Sequence, residues 1–119
     1  MSVPLSVLIV DDHAGFRSAA RMLLEAEGYD VVAESATGGE ALETASRLRP
    51  AIVLLDIGLP DLNGFEVAVR LIRADARLAV VLTSSRDESD YRPAVERSGA
   101  RGFISKADLS GEAIAALAA

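Results

Sequence analysis

Four apolar runs in this chain each end on polar or charged residues, with amphipathic stretches between them. Leu5-Ser6-Val7-Leu8-Ile9-Val10 leads into Asp11-Asp12, and Ala51-Ile52-Val53-Leu54-Leu55 into Asp56. Leu78-Ala79-Val80-Val81-Leu82 leads into Thr83-Ser84-Ser85, and Gly102-Phe103-Ile104-Ser105 into Lys106. Short runs that stay apolar, without alternation, suit strands buried on both faces. The intervening stretches have helical spacing. Residues 14–27 put Phe16, Ala20, Leu23 and Leu24 on one face and Arg17, Arg21 and Glu25 on the other, with Gly28 as a C-cap. Val31-Val32-Ala33-Glu34 predicts a shorter second strand.

Residues 38–48 predict a helix that stops before Pro50. Residues 64–74 predict another, with Phe65, Val69 and Ile72 on one face. The helix after the fourth strand runs to about Ser98 and ends at Gly99. Pro93 falls in its first turn, with Ser89 or Asp90 as the cap. Residues 101–105 predict a fifth strand and 109–119 a short last helix. A βα unit repeated five times implies a parallel sheet covered by helices on both faces.

Composition narrows the function. The 119 residues fit one domain, and half of them are hydrophobic, enough for an ordinary core. With no cysteine, disulfides and thiolate-bound zinc are excluded; with one histidine, His13, a histidine-cluster metal site lacks ligands. A net charge of −6 argues against direct nucleic-acid binding by this domain, which needs a basic face. No run is long enough to span a membrane, and the N-terminus lacks the features of a signal peptide. The expected location is cytoplasmic.

In an open parallel sheet, the C-terminal strand ends share one edge, where such folds place their sites. Asp11, Asp12, Asp56, the Thr83/Ser84/Ser85 hydroxyls and Lys106 all fall there. Each has an ordinary reading alone: an N-cap pair, the start of a turn, a helix cap, a solvated lysine. Together they suit a divalent cation and a phosphoryl group. Magnesium takes oxygen ligands, and Asp11, Asp12 and Asp56 supply them, with a backbone carbonyl near Gly58 completing the shell. A carboxylate can also act as a nucleophile and form an aspartyl-phosphate. Asp56 stands alone at its strand end, and Lys106 would hold a phosphoryl oxygen as a point charge.

At these residues the chain resembles the receiver domains of two-component response regulators, over essentially its whole length. The matching segments are Val7-Leu8-Ile9-Val10-Asp11-Asp12-His13, Leu55-Asp56-Ile57-Gly58-Leu59-Pro60-Asp61-Leu62-Asn63-Gly64 and Gly99-Ala100-Arg101-Gly102-Phe103-Ile104-Ser105-Lys106. Asp12 precedes Asp56 by 44 residues, the family's acid-pair-to-acceptor interval, and Pro60 and Gly64 follow it by four and eight. The Asp-Asp-His opening and Lys106-Ala107-Asp108-Leu109 look most like receivers joined to LuxR-type helix-turn-helix domains.

The resemblance implies a single flavodoxin-like α/β domain over residues 1–119, with five parallel strands in the order 2-1-3-4-5. Asp56 is then the phosphoacceptor for a histidine kinase. Asp11 and Asp12 hold Mg2+ (or Mn2+) with Asp56 and the Gly58 carbonyl, and Lys106 binds phosphate. Counting 22 residues back from Lys106, or 15 from Gly99, makes Ser84 the switch hydroxyl; the apolar run of the strand favours Thr83 instead. Phe103, three before Lys106, matches an aromatic that changes rotamer on activation, and reads equally well as a core phenylalanine. Ala107 stands where many members have proline, so a trans bond is expected there.

The implied function is a phosphorylation switch rather than a turnover enzyme. It would remodel the surface of the fourth helix, fifth strand and fifth helix, with a homodimer as one outcome and transcription control as the output. A helix-turn-helix would belong to a further segment or a partner. Two alternatives are a degenerate receiver that binds partners without phosphate and an aspartyl-nucleophile phosphohydrolase.

Overall fold

The computed structural model describes residues 3–86 and 90–118. Five strands form one parallel sheet: β1 (Ser6–Val10), β2 (Asp30–Ser35), β3 (Ile52–Asp56), β4 (Ala79–Ser84) and β5 (Gly102–Ser105). Their spatial order is β2-β1-β3-β4-β5, as expected. Five helices connect and follow them: α1 (Ala14–Ala26), α2 (Gly38–Leu48), α3 (Gly64–Ala74), α4 (Arg92–Ser98) and α5 (Gly111–Ala118).

The strands hold the centre because their side chains are apolar on both faces. Leu8, Val10, Val53, Leu55, Val80 and Leu82 point to one side and pack with α2, α3 and α4 through Ala41, Val67, Leu71 and Val95. Val7, Ile9, Ile52, Leu54 and Val81 point to the other side and meet Ala20 and Leu24 of α1 and Ile114 of α5. Burying each such Val, Leu or Ile stabilises the fold by about 1.5–3 kcal/mol. The edge strand β2 is the exception. It alternates buried and exposed residues, and its pairing with β1 slips by one residue between Val7 and Leu8. Charged Asp30 and Glu34 and this irregularity discourage further strand pairing there.

Local chemistry sets the boundaries. Thr37 caps α2 by accepting from the Glu40 N–H, while Glu40 accepts from Ala36 N–H in return. Arg49 closes α2 in a left-handed conformation immediately before Pro50. Gly28 and Gly99, both at positive φ, follow α1 and α4.

Three expectations need correction. The cap of α4 is Tyr91, without a side-chain hydrogen bond, rather than Asp90; Ser89 lies outside the described residues. Pro93 does sit in the first turn. The last helix begins at Gly111, because Lys106–Asp108 form a 3₁₀ turn and the Ser110 hydroxyl accepts from Ala113 N–H. On α3 the buried face is Gly64, Val67, Ala68 and Leu71. Phe65 and Ile72 pack at its margin beside α4, and Val69 is only half-buried. Arg17 and Arg21, on the face of α1 opposite buried Ala20 and Leu24, both reach Glu34 on β2. The Lys106–Ala107 bond is trans.

Candidate functional site

Strand register assembles the site. Val10 pairs with Leu55, so Asp11 and Asp56 leave neighbouring strands at one level. Asp56 pairs in turn with Thr83, and Thr83 with Ile104, which brings Lys106 to the same edge. Asp11 is fully buried and Asp56 is 5% exposed, whereas Asp12 lies at the surface. A loop from Ile57 to Asn63 leads away from Asp56. It folds back through a Gly58–Asn63 bridge and a Gly64 N–H bond to the Ile57 carbonyl. Gly64 packs so tightly that a Cβ there would lie 2.6 Å from the Asp56 carbonyl oxygen and the Ile57 Cα. The requirement for glycine is therefore steric.

Lys106 is the only lysine in the chain. Its Nζ lies 2.6 Å from Asp11 Oδ2 and 3.8 Å from Asp56 Oδ2, and 4.5 Å from the centre of the Phe16 ring. The compact ammonium thus bridges two carboxylates over an aromatic face, where a branched guanidinium would not sit equivalently. Asp11 Oδ1 accepts from His13 N–H at 2.9 Å, but Oδ2 is buried with the ammonium as an ion-pair partner and no aligned hydrogen bond. Burial pushes the Asp56 carboxyl above the usual aspartate range. The Asp11 charge pushes it further, Lys106 and the Gly58 N–H oppose, and Asp12 adds to the rise.

Ligand atoms of Asp11, Asp12, His13 and Asp56 lie within 4.8 Å of one another. The carboxylates are hard oxygen donors, as magnesium prefers. Asp11 Oδ2 is buried without an aligned hydrogen bond, its charge met by the Lys106 ammonium alone among the described residues. The residues present fit a divalent ion.

The hydroxyls differ in setting. Thr83 is fully buried and its Oγ1 has no hydrogen-bond partner among the described residues. Ser84, 7% exposed, accepts from Arg86 N–H at 3.1 Å. Phe103 is already buried, its ring 6.0 Å from that of Tyr91, which stands 5.9 Å from Phe65.

Sequence reasoning missed several supporting residues. Asp61 of the acceptor loop receives the N–H groups of Gly38 and Gly39 at the start of α2, which hold its carboxyl below the usual range. Arg17 donates to the Asp11 carbonyl at 2.7 Å. Neither link has a sequence pattern: Asp61 reaches back to the start of α2, and Arg17 reaches from α1 to a backbone carbonyl at the end of β1. The single lysine was a readable signal.

Comparison with known proteins decides the family. The response regulator receiver domain profile matches residues 7–118. This chain is a response regulator receiver domain. It is 37% identical over 110 residues to a putative transcriptional regulator of Pseudomonas aeruginosa, covering 92% of this chain and 53% of that protein. It is 40% identical over 100 residues to the Bordetella pertussis virulence factors putative positive transcription regulator BvgA, covering 84% and 48%. A crystal structure of a LuxR-family two-component response regulator from Aurantimonas sp. SI85-9A1 superposes with a TM-score of 0.88 at 30% identity, covering 97% of this chain and 85% of that one.

The receiver thus spans about half the length of the curated relatives it matches. Receivers are as a class switches rather than turnover enzymes, partnered by histidine kinases, with magnesium at an acidic site. Among the described residues no helix is long and apolar enough to cross a membrane.

Proposed function

We propose that this domain acts in the cytoplasm, where Asp56 accepts a phosphoryl group from the phosphohistidine of a histidine kinase. An Asp56 carboxylate oxygen would bond to phosphorus while the phosphorus–nitrogen bond breaks, and the imidazole would leave with the electron pair. The observation that carries this reading is the buried Asp56 carboxyl, set beside Asp11 with the Lys106 ammonium 3.8 Å away.

Asp11, Asp12 and Asp56, with the Gly58 carbonyl, would hold Mg2+ or Mn2+. When bound, that ion supplies charge neutralisation for the incoming phosphoryl oxygens. Lys106 would exchange part of its contact with Asp11 for a phosphoryl oxygen. Ser84 would donate its hydroxyl to another oxygen, with Thr83 the alternative donor. The Ser84 move would free the Arg86 N–H. Because Tyr91 lies against Phe103, the two rings would repack together and reshape the α4-β5-α5 surface, which could serve a homodimer. The domain itself would not touch DNA. Its output, transcription control, would lie in a further segment or a partner, in keeping with its relatives' names and their greater length.

Intact mass after incubation with acetyl phosphate and magnesium tests this. Wild type should gain one phosphoryl group; Asp56→Asn, and wild type without magnesium, should gain none. A folded wild type that gains nothing would favour a receiver working without phosphate.

A further inference from the structure

We propose that Arg17 is a positioning residue for the cation site, acting through the Asp11 peptide rather than by touching metal or phosphate. The proposal rests on the phosphoacceptor reading above. Arg17 belongs to the first turn of α1, and its side chain is only 19% exposed. Its Nη1 donates to the Asp11 carbonyl at 2.7 Å, and its Nε donates to Glu34 Oε1 on β2 at 3.1 Å. The other Glu34 oxygen accepts from Arg21 Nε at 2.7 Å, and Arg21 is further tied to the Val31 carbonyl of the same strand. The guanidinium is therefore anchored to β2 on one side and grips the end of β1 on the other.

This grip acts where it matters for ligation. The Asp11 N–H is already fixed by the Ser35 carbonyl, and its carboxylate by His13 N–H and Lys106. What remains is the peptide plane between Asp11 and Asp12. Its carbonyl is the group Arg17 holds, and its orientation sets the direction in which Asp12 leaves the strand. Asp12 is exposed and, among the described residues, its carboxylate has His13 as its one ion-pair partner, so little else aims it. A planar fork with several donors can hold two acceptors at fixed angles, which a single ammonium cannot.

Charge and positioning predict opposite signs. A guanidinium near the acids repels a divalent cation, so removing it should tighten magnesium binding if charge alone acts. Positioning predicts weaker binding. Replacing Glu34 by glutamine changes the charge in the other sense but also loosens the anchor.

The test is calorimetric Mg2+ titration of wild type, Arg17→Met, Arg17→Lys and Glu34→Gln, with thermal unfolding of each to establish folding. Arg17→Met and Glu34→Gln should both bind Mg2+ about tenfold more weakly, with Arg17→Lys between them and wild type. The rate of labelling by acetyl phosphate should fall most at low magnesium, the deficit shrinking towards saturation. Wild-type or tighter affinity in folded Arg17→Met would overturn the proposal. Should that variant fail to fold, unchanged affinity in Glu34→Gln would do so. A wild type that binds no Mg2+ would instead overturn the phosphoacceptor reading beneath it.

Discussion

Asp56 holds its carboxyl between burial and the Asp11 charge, which disfavour ionisation, and Lys106 with the Gly58 N–H, which favour it. The net effect is a raised pKa, and its sign fixes a pH dependence. A carboxyl whose folded pKa lies above its unfolded value binds protons more readily when folded. It contributes stability below the unfolded pKa, and that contribution is lost as pH rises through the folded pKa. At neutral pH, without divalent ions, ionised Asp56 therefore costs stability. Asp56→Asn should raise the melting temperature by a few degrees at pH 7, with the difference shrinking as pH falls into the carboxylate range. Thermal unfolding of both proteins in EDTA from pH 4 to pH 8 would show it; an Asn variant less stable than wild type at pH 7 would contradict the sign. On the proposed function, the charge that burdens the resting fold is the one that would attack phosphorus.

Elements are positioned by small capping groups as much as by apolar stripes. The start of α5 is an instance. Periodicity alone extends that helix back to residue 109, but the Ser110 hydroxyl takes the Ala113 N–H and fixes the first turn at Gly111. Ser110→Ala should cost about 1 kcal/mol of stability, measured by chemical denaturation, and leave phosphoryl acceptance at Asp56 intact. Unchanged stability would mean that packing of Ile114 alone sets the helix. This difference marks what was legible. Strands β1, β3 and β4 were plain because unbroken apolar runs have few other readings. The register from β1 through β3 and β4 to β5 places Asp11, Asp56 and Lys106 together, as the strand-end argument requires. The Arg17 clamp, the Asp61 link to α2 and Tyr91 over Phe103 were not legible. Each is a side-chain contact between separate elements, and in the sequence Arg17 looks like any polar residue of an amphipathic helix.

At the scale of the molecule, the acids tie the site to the stability of the whole sheet. Asp11 extends β1 and Asp56 ends β3, adjacent central strands whose apolar residues fill both cores. The carboxylates that would hold an ion sit at the ends of the two central strands, so the site is dismantled by global unfolding rather than by fraying of α4 or α5. The ion's binding energy should therefore appear in global unfolding. Mass action gives a stabilisation of about 2.7 kcal/mol at a magnesium concentration one hundred times Kd. For a chain of this size that corresponds to a rise of about 10 °C in melting temperature. Wild type should show such a rise on titration with MgCl2 and lose it on adding EDTA, while NaCl at matched ionic strength should not reproduce it. Asp11→Asn should blunt the response by weakening Kd, and Asp56→Asn likewise, despite its higher starting stability. A wild-type melting temperature indifferent to magnesium would separate the acidic cluster from metal binding, leaving Lys106 as the cation that balances it.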